Sequence, residues 1–340
     1  MDKILVTGGL GFIGSHTVVE LQDEGYEVVI IDNLSNSSIS VLDGITAITG
    51  IKPIFEKLDL KEKSEVEAFF KKHHDIKGVI HFAASKAVGE SVQEPLLYYE
   101  NNIGTLVYIL KELKKLQTAS FIFSSSCTVY GQADELPITE NAPIKPAESP
   151  YGNTKQIGEE IIRDTCKVTP SIKAIALRYF NPVGAHDSGK IGELPIGVPQ
   201  NLVPFITQTA IGIREQLSVF GDDYPTPDGT CIRDYIHVVD LAKAHVVALK
   251  RLLENKNKSN FETFNLGTGT GSSVLEVIHS FERVSGEKLN HKIVGRREGD
   301  VISAYAETTK ANKELGWKSG LNLDDAMRSA WKWEQIVRKK

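Results

Sequence analysis

The two residues whose types and spacing most suggest chemistry are Tyr151 and Lys155, four positions apart. Pro150 precedes them, and because proline is tolerated in the first turn of a helix, a helix can begin there. Residues i and i+4 share one face of a helix, so the ammonium group would lie beside the phenol. A neighbouring cation favours the phenolate, so the pair predicts a tyrosine pKa below its ordinary value of about 10, and hence a base. A Tyr-x-x-x-Lys pair is common by chance, so the rest of the chain must decide.

A hydroxyl group that could assist this base follows a predicted strand. The segment from Ser120 to Phe123 has the pattern of a buried strand and leads into a run of serines that ends at Ser126. Ligands of a parallel sheet bind at the carboxyl ends of its strands, so we expect Ser126 to hydrogen-bond the reacting oxygen. Cys127 comes next. Because no Cys-His arrangement can be identified around it, we interpret it as a small buried neighbour and not as a nucleophile.

The elements that would position these side chains begin with a glycine turn near the N-terminus. Residues 4–7 form a short apolar strand pattern, and a helical pattern runs from the turn to Glu24 and ends at Gly25. Between them Gly9, Gly11 and Gly14 match G-x-G-x-x-G, a spacing that lets main-chain amides approach a pyrophosphate at a helix N-terminus. The residues predicted to contact a dinucleotide in this turn are Gly8, Gly11, Phe12, Ile13 and Gly14.

The identity of the dinucleotide is predicted from the acid that ends the second strand. Residues 27–31 form a strand pattern, and Asp32 follows eighteen residues after Gly14. A carboxylate at this place accepts a hydrogen bond from a ribose 2′-hydroxyl and repels a 2′-phosphate, so we predict NAD and not NADP. The alternative interpretation of Asp32 is a turn residue at a strand end.

Strands and helices continue to alternate through residue 180, which predicts an α/β fold. We expect a doubly wound parallel-sheet Rossmann domain over residues 1–180 and a smaller mixed α/β substrate-capping domain over residues 181–340, where glycine and proline become more frequent. Part of residues 234–267 is expected to pack back on the first domain. Further cofactor contacts are predicted at Asn33, Asp59, Phe82, Ala83, Lys86, Asn101, Tyr151, Lys155 and Tyr179, although Asp59 and Lys86 are equally well interpreted as solvated loop residues.

Composition limits the partners and the compartment. The chain has 340 residues, of which 41% are hydrophobic and 24% charged, and its net charge of −5 argues against nucleic acid as a partner. No apolar run is long enough to span a bilayer or to form a secretory leader, which predicts a cytoplasmic protein. Cys127, Cys166 and Cys231 are odd in number and far apart, which favours free thiols over disulfides. Without Cys/His clusters we expect no metal site.

Several segments together resemble one known family. They are Thr7 to Ser15 (TGGLGFIGS), Ser124 to Gly131 (SSSCTVYG), Tyr151 to Lys155 and Arg178 to His186 (RYFNPVGAH). With them the chain resembles, over essentially its whole length, the extended short-chain dehydrogenases, and among these the UDP-hexose 4-epimerases. The glycine and Tyr-x-x-x-Lys motifs are shared by the whole superfamily. RYFNPVGAH, the stretch 222–237 (DDYPTPDGTCIRDYIH) and the stretch 296–300 (RREGD) are more particular.

The resemblance implies a reaction. In this family the tyrosine and the serine, here Tyr151 and Ser126, deprotonate the sugar 4-hydroxyl group while hydride passes from C4 to a tightly bound NAD. The lysine, here Lys155, tunes the tyrosine and binds the cofactor ribose. The 4-keto sugar then swings over and takes the hydride back on its other face, which interconverts UDP-galactose and UDP-glucose. This chemistry needs a base near neutrality, a hydride acceptor in contact and the exclusion of water.

The resemblance also implies a substrate side and a homodimer formed by the helices around residues 98–116 and 153–165. Arginine makes forked bonds to phosphate oxygens, so two matched arginines would hold the diphosphate, although isolated arginines are usually surface residues. Two matched asparagines would contact the phosphate and sugar, an aromatic the uracil, and an aspartate the ribose. The matched substrate positions are Ser126, Asn181, Asn201, Phe220, Arg233, Arg297, Asp300 and Ala304.

One of these positions concerns the range of substrates. The family places a residue at the rim of the sugar pocket, where tyrosine goes with plain hexoses and a small residue with tolerance of an N-acetyl group. Ala304 matches this position, and Tyr305 is its neighbour. The resemblance therefore predicts that UDP-N-acetylglucosamine and UDP-N-acetylgalactosamine are also substrates.

Three related functions were weighed against this one. A nucleotide-sugar 4,6-dehydratase carries Asp-Glu directly after the active-site hydroxyl residue, and here those positions hold Cys127 and Thr128, which cannot act as that acid and base. Another NAD-dependent nucleotide-sugar oxidoreductase would need free NAD and would release NADH. A non-catalytic NAD-sensing protein would keep the glycine turn without turnover, and the joint presence of Tyr151, Lys155 and Ser126 argues against it.

Overall fold

The computed structural model of the protein describes residues 1–117, 119–297 and 300–338. Within them the strands are β1 (Lys3–Thr7), β2 (Glu27–Asp32), β3 (Ile54–Lys57), β4 (Ile76–His81), β5 (Ala119–Ser126), β6 (Ile172–Tyr179), β7 (Asn181–Val183), β8 (Leu217–Phe220), β9 (Ile232–Arg233), β10 (Tyr235–His237), β11 (Phe261–Leu266), β12 (Ser272–Ser273), β13 (His291–Val294) and β14 (Ser303–Ala304). The α-helices are α1 (Phe12–Asp23), α2 (Val41–Thr49), α3 (Lys63–Lys72), α4 (Val88–Gln93), α5 (Pro95–Leu113), α6 (Pro150–Val168), α7 (Leu202–Ala210), α8 (Val238–Leu253), α9 (Val274–Ser285) and α10 (Leu323–Arg338). A 3₁₀-helix covers Cys127–Tyr130 and a π-helix covers Ala311–Leu315. No helix in the described ranges is both long and apolar enough to cross a membrane.

A seven-stranded parallel sheet forms the centre of the molecule, in the order β11-β6-β5-β4-β1-β2-β3. The chain moves outward from β1 to β3 and then returns to β4 on the other side of β1. This reversal is the switch point at which doubly wound sheets bind their ligands, beyond the carboxyl ends of the strands. The predicted doubly wound parallel sheet is confirmed.

The strands are buried on both faces, as parallel sheets covered by helices require. In β1 the side chains of Ile4 and Val6 pack on one face, together with α1 and α8, while Leu5 packs on the other face, with α3 and α5. Strands of this kind form continuous apolar runs, because each face of the strand needs apolar side chains. The sheet thus has an apolar core on each face, and a ligand binds beyond the carboxyl ends of its strands.

The later part of the chain contributes to both the sheet and a second core. β11 is an edge strand of the sheet, and α8 packs across the sheet beside α1. The second core unites α7, β8, α9 and α10 through buried side chains such as Ile206, Val219, Phe281 and Met327. The division into domains at residue 180 stays a prediction.

Candidate active site

The turn between β1 and α1 has a conformation that only glycine can supply at several positions. Gly8 has a φ of 67°, and a Cβ atom there would lie 2.9 Å from the main-chain nitrogen of Ala83. A Cβ atom at Gly14 would lie 2.2 Å from the Gly8 carbonyl oxygen. At Gly11 the Gly8 carbonyl oxygen, 3.2 Å away, is the single atom within 4 Å of such a Cβ. The main chain at Gly11 is therefore open at the N-terminus of α1, where a pyrophosphate can approach the amides, so the turn fits a dinucleotide.

Asp32 ends β2 beside this turn. Its Oδ2 accepts a hydrogen bond from the Leu10 amide at 3.1 Å, and its Oδ1 accepts from the Leu34 amide at 2.9 Å and from the Ser37 hydroxyl at 2.8 Å. A carboxylate offers about four acceptor sites, so one remains for a ribose hydroxyl. Asp32 is thus a turn residue, which is one of the two interpretations of the sequence, and its role as a ribose ligand stays a prediction.

The other predicted cofactor residues follow the ends of neighbouring strands. The side-chain amide of Asn33 donates to Asp59 Oδ2 at 3.2 Å, which places these two side chains together beyond β2 and β3. After β4, the Phe82 amide donates to the Thr7 carbonyl oxygen at 3.1 Å, which ties this strand end to β1. Ala83 follows against Gly8. These residues therefore line one continuous edge of the sheet.

Two adjacent asparagines of α5 hold the loop after β4. One of them, Asn101, is a predicted cofactor contact, and that role stays a prediction. Asn101 donates to the Ser85 hydroxyl at 2.9 Å. Its neighbour Asn102 is buried; it accepts from the Ser85 amide at 2.8 Å and donates to the Ser85 carbonyl at 2.9 Å and to the Thr154 hydroxyl at 3.1 Å. Asn102 thereby connects this loop to α6. Sequence reasoning missed Asn102, because adjacent asparagines give no signal of which one faces the protein.

The predicted catalytic pair lies on α6 as expected. The helix begins at Pro150, and the Ser149 hydroxyl caps it by accepting a hydrogen bond from the Gly152 amide at 3.2 Å. Lys155 Nζ lies 5.7 Å from the centre of the Tyr151 ring, on the same face of the helix. The ammonium group donates to the Ser124 carbonyl oxygen at 2.7 Å. It is therefore aimed at the end of β5, next to the phenol.

The ends of β5 and β6 complete this group. Ser126 is paired with Tyr179 in the register of the two strands, and the hydroxyl groups of Ser124 and Tyr179 are hydrogen-bonded to each other. Tyr179 is buried. The structure thus brings the predicted catalytic residues and Tyr179 together at the carboxyl edge of the sheet.

The electrostatics of the pair differ from the prediction. Burial raises the pKa of Tyr151 above its ordinary range, Tyr179 and Cys127 raise it further, and the Ser126 hydroxyl acts in the opposite direction. Burial lowers the pKa of Lys155 to about 8, against the opposing charge of Glu159. The predicted lowering of the tyrosine pKa by Lys155 is therefore wrong for the protein by itself. The reason is that loss of water disfavours the phenolate and the ammonium alike.

The 3₁₀-helix that follows Ser126 carries no acid. Burial raises the pKa of the Cys127 thiol to about 11, although the charge of Arg233 opposes this shift. This thiol is consequently protonated near neutral pH, in agreement with its interpretation as a neighbour and not a nucleophile. The Thr128 hydroxyl is buried and has no hydrogen-bond partner in the described part of the chain.

Most residues predicted for the nucleotide part of a substrate lie close to one another. The guanidinium of Arg297 lies 5.7 Å from the centre of the Phe220 ring and bonds to Asp300 at 2.6 Å. Arg233 lies 3.6 Å from the same carboxylate and is paired with Ala304 in the register of β9 and β14. An aromatic ring suits a base, a carboxylate suits a ribose, and two arginines suit a diphosphate. Glu298 and Gly299, which belong to the motif at 296–300, lie outside the described residues.

The main-chain amide of Asn181 donates to the Asp234 carbonyl oxygen at 2.9 Å, so this predicted asparagine lies next to the end of β9. Asn181 begins β7 with an exposed side chain. Asn201 precedes α7 and donates to Glu193 Oε1 at 2.6 Å, and this oxygen lies 3.8 Å from Lys86 Nζ. Glu193, which sequence reasoning missed, thus connects a predicted substrate residue with a predicted cofactor residue. A single glutamate in a glycine-rich stretch carries no local signal of this role.

Together these observations define the class of protein. The features of a short-chain dehydrogenase/reductase are present: a glycine turn that fits a dinucleotide, an acid that ends β2, and a Tyr, a Lys and a Ser at the carboxyl ends of parallel strands. The second core, whose strand β8 ends at Phe220 next to Arg297, is an addition to this sheet, as in the extended members of the class.

Comparisons with known proteins agree. The model of the family described as GDP-mannose 4,6 dehydratase matches residues 5–330. The chain is 49% identical over 341 residues to the UDP-glucose 4-epimerase of Mus musculus, which covers 98% of this chain and 97% of the mouse protein. The chain therefore belongs to the UDP-glucose 4-epimerases, within the extended short-chain dehydrogenase/reductase family.

Two crystal structures of similar proteins contain ligands. UDP-glucose-4-epimerase from Stenotrophomonas maltophila, with bound NAD and formylated UDP-arabinopyranose, superimposes with a TM-score of 0.95 at 45% identity, over 100% of this chain and 99% of that one. UDP-glucose 4-epimerase from Bifidobacterium longum, in complex with NAD⁺ and UDP, gives a TM-score of 0.94 at 46% identity, over 99% of both chains. The fold and the family predicted from the motifs are both confirmed.

Proposed function

We propose that this protein is an NAD-dependent UDP-hexose 4-epimerase that interconverts UDP-galactose and UDP-glucose. The observation that carries the proposal is that Tyr151, Lys155 and Ser126 lie together at the carboxyl ends of the parallel strands, where β1 also leads into the glycine turn. The glycine turn fits a dinucleotide, and Arg233 is close enough to influence the thiol of Cys127, the residue after Ser126. A sugar joined to a diphosphate would therefore reach the tyrosine.

The reaction assigns a step to each residue. NAD, when bound, supplies the hydride acceptor and a positively charged ring. The Tyr151 oxygen takes the proton of the sugar 4-hydroxyl group while C4 loses its hydride, and the Ser126 hydroxyl hydrogen-bonds the same sugar oxygen. Lys155 holds the end of β5 through the Ser124 carbonyl and places its charge next to the phenol. The Tyr151 oxygen then returns the proton when the hydride comes back.

The raised pKa of Tyr151 is compatible with this cycle. The phenol proton would leave to solvent when NAD and a substrate bind. From that phenolate the same oxygen takes one proton and returns it, so the conversion of the sugar itself neither gains nor loses a proton. The phenolate must be stabilised only while a substrate and a positive ring are bound, and charges act strongly in a buried site. A tyrosine that holds its proton in the protein alone avoids an unpaired buried charge.

The proposal is tested by incubating purified protein with UDP-galactose and no added NAD. Formation of UDP-glucose is expected, because the cofactor is regenerated in each cycle. A requirement for free NAD with release of NADH would identify another nucleotide-sugar oxidoreductase. Bound NAD without turnover of any UDP-sugar would identify a sensing protein. A 4-keto-6-deoxy sugar as product would identify a dehydratase.

We also propose that the enzyme accepts N-acetylated UDP-hexoses. Ala304 is half-buried and packs, together with Cys127, against a small apolar cluster that includes Val129 and Phe180. Cys127 follows Ser126 directly, and the small side chains of Cys127 and Ala304 would leave room beside the sugar. The interconversion of UDP-N-acetylglucosamine and UDP-N-acetylgalactosamine is the corresponding activity.

Finally, we propose a cytoplasmic homodimer. On α5, Ile103 and Val107 are half-buried one turn apart, and on the adjacent α6 Ile157 and Ile161 are spaced in the same way. Paired apolar rows on two adjacent helices suit a self-complementary contact with a second copy. The cysteines Cys127, Cys166 and Cys231 are free in the structure, as suits a reducing compartment.

A further inference from the structure

A buried ion pair lies one turn of α6 after Lys155. Arg178 Nη2 and Nε donate to the two carboxylate oxygens of Glu159 at 2.6 and 2.9 Å, and the side chains are 4% and 3% exposed. The Ser125 hydroxyl donates to the same carboxylate at 2.6 Å. Removing one partner of such a pair is strongly destabilising, whereas well-packed apolar residues often replace both without loss. Stability alone therefore does not explain why a chain keeps this pair.

The carboxylate end of the pair continues the catalytic face of α6. Glu159 follows Lys155 by four residues and Tyr151 by eight, and residues at this spacing lie on one face of a helix. A bond that holds Glu159 also fixes the rotation of α6 and its height above the sheet. The positions of the phenol and the ammonium group depend on both.

The other end of the pair is held by the two strands that carry the remaining site residues. Ser125 lies between Ser124 and Ser126, and Arg178 precedes Tyr179. Ser125 and Arg178 are also paired with each other in the register of β5 and β6. Successive side chains of a strand point to opposite faces, so the residues that hold Glu159 alternate with those that contribute to the site.

The pair is anchored further from the site as well. Arg178 Nη1 donates to the Tyr130 hydroxyl at 2.9 Å, and this hydroxyl donates to Asn265 Oδ1 on β11 at 2.6 Å. The side-chain amide of Asn265 donates to the Ile138 carbonyl oxygen at 2.8 Å. A buried network in which each member has its partners is rigid, and it specifies one arrangement of the elements it joins.

From this geometry we propose that Glu159 and Arg178 are positioning residues, which fix α6 on β5 and β6 so that Tyr151 and Lys155 face Ser126. The carboxylate has a second effect, because its negative charge supports the cationic form of Lys155. This inference rests on the proposed epimerase function only for its effect on turnover. The effect on Lys155 is a property of the protein itself.

Among the described residues around Lys155, Glu159 is the carboxylate whose charge acts on the ammonium group. Burial lowers the pKa of His81, on β4, to about 3 and raises the pKa of Tyr179, on β6, to about 12. Burial likewise raises the pKa of Tyr98, on α5, and of Tyr151. All four are consequently neutral near pH 7. Glu159 opposes the lowering of the Lys155 pKa by burial.

The chain contains a matched control pair. Arg251 Nε and Nη2 donate to Glu262 at 2.8 and 3.0 Å, and the side chains are 10% and 7% exposed. Glu262 is four residues before Leu266, which pairs with Tyr179, so it lies about 13 Å from the carboxyl edge of the sheet. A variant that loses this pair shows how far the loss of a buried Arg-Glu pair away from the site changes kcat and the pKa of Lys155.

The experiment compares Glu159→Gln with Glu262→Gln in full-length protein loaded with NAD. For Glu159→Gln we expect kcat with UDP-galactose to fall about 100-fold, as for a displacement of about 1 Å, with little change in KM. The alkaline limb of its kcat profile should move to lower pH. The pKa of Lys155, followed by NMR of ¹⁵N-labelled lysine, should fall too. Glu159→Asp keeps the negative charge, so the alkaline limb of the kcat profile should return close to its wild-type pH. The aspartate side chain is shorter and holds α6 less well, so kcat should recover less than the limb does.

Equal kcat, equal limbs and equal Lys155 pKa values in the two glutamine variants would overturn the proposal. If Glu159→Gln does not fold, Ser125→Ala takes its place, because it removes one bond without leaving a charge unpaired. A kcat about tenfold below that of the wild type is then expected, and wild-type kcat would overturn the proposal. Absence of turnover by the wild-type protein would contradict the epimerase function, while the NMR comparison would still decide the effect on Lys155.

Discussion

Lys155 reaches across from α6 to the main chain of β5, where its ammonium group donates to the Ser124 carbonyl oxygen at 2.7 Å. The hydroxyl of the same serine bonds to Tyr179 at the end of β6. One cation therefore joins the helix that carries the phenol to both strands that complete the site. Its role is structural as well as electrostatic, and the two roles predict different consequences when it is removed.

Replacing Lys155 by Met removes the ammonium group and keeps the apolar stem. We expect kcat with UDP-galactose to fall by about 10²–10³, because the tyrosine loses its neighbouring cation and α6 loses a tie to β5. The content of bound NAD should fall too. Lys173→Met, six residues before Tyr179 near the start of β6, is the control and should change neither quantity. Steady-state kinetics and cofactor content after gel filtration measure both effects, and unchanged kcat in Lys155→Met would contradict the role of the cation.

The glycine turn allows the effects of packing and of cofactor binding to be separated. In Gly14→Ala the new methyl group would lie 2.2 Å from the Gly8 carbonyl oxygen, so α1 must move, and we expect a loss of about 1–3 kcal/mol in the free energy of unfolding. In Gly11→Ala the methyl group would lie 3.2 Å from the Gly8 carbonyl oxygen, a contact that a shift of a few tenths of an ångström relieves, and it would occupy the approach to the amides. Loss of NAD with nearly unchanged stability is expected there. Urea unfolding and cofactor content distinguish the two, and full NAD retention in Gly11→Ala would exclude this turn as the pyrophosphate site.

These residues show which parts of the site a sequence can reveal. Tyr151 and Lys155 share one helix, and the glycines share one turn, so their spacing alone determines their relation. Asn102 and Glu193 act through side chains that meet residues far away in the chain. No spacing encodes such contacts, and the sequence analysis missed both.

The direction of the Tyr151 pKa shows a second kind of limit. The sequence predicts the cation at the right distance, but it contains no measure of how much water surrounds the pair. Burial decides the sign, since it raises the pKa of Tyr151 and lowers the pKa of Lys155. The parallel sheet, by contrast, was predictable because continuous apolar runs signal strands that are covered on both faces.

The small side chain of Ala304 predicts the range of substrates. In Ala304→Tyr the phenol would fill the space beside Cys127, so turnover of UDP-N-acetylgalactosamine should fall at least about 100-fold. A pocket rejects a substituent strongly only when it has no room for it. Turnover of UDP-galactose, measured with the same protein, is the internal control and should change only a few-fold. Undiminished turnover of the N-acetylated sugar would show that Ala304 does not limit the pocket.

The outward apolar row on α5 predicts the effect of a charge there. Val107→Glu places a carboxylate among half-buried side chains, and burying it in a dimer contact without a partner is costly. We expect this variant to sediment as a monomer where the wild-type protein sediments as a dimer. Val168→Glu is the matched control, because Val168 is 77% exposed at the end of α6. If both variants sediment as the wild type does, the contact lies on another surface.

His245 predicts how stability depends on pH. The side chain is fully buried on α8, its Nδ1 donates to the Leu241 carbonyl at 2.8 Å, and its Nε2 has no hydrogen-bond partner in the described ranges of the chain. Burial lowers its pKa to about 4, from an ordinary value of 6.5. Between these two values the unfolded chain binds a proton that the folded protein does not bind. The free energy of unfolding therefore decreases as the pH falls from about 6.5 to about 4, by up to about 1.4 kcal/mol per pH unit for each such histidine.

The variant that tests this dependence is His245→Phe, which keeps a ring of similar size between Phe82 and Tyr179 but cannot bind a proton. Other groups also titrate below pH 6.5, so the comparison concerns the slope and not the stability at one pH. We expect the slope of unfolding free energy against pH to be shallower by about one proton in the variant, and the difference to vanish above pH 7, where the histidine is neutral in both states. Urea unfolding at intervals from pH 7.5 to pH 5 measures it. Parallel curves for the two proteins would mean that His245 takes up a proton in the folded state as readily as in the unfolded one.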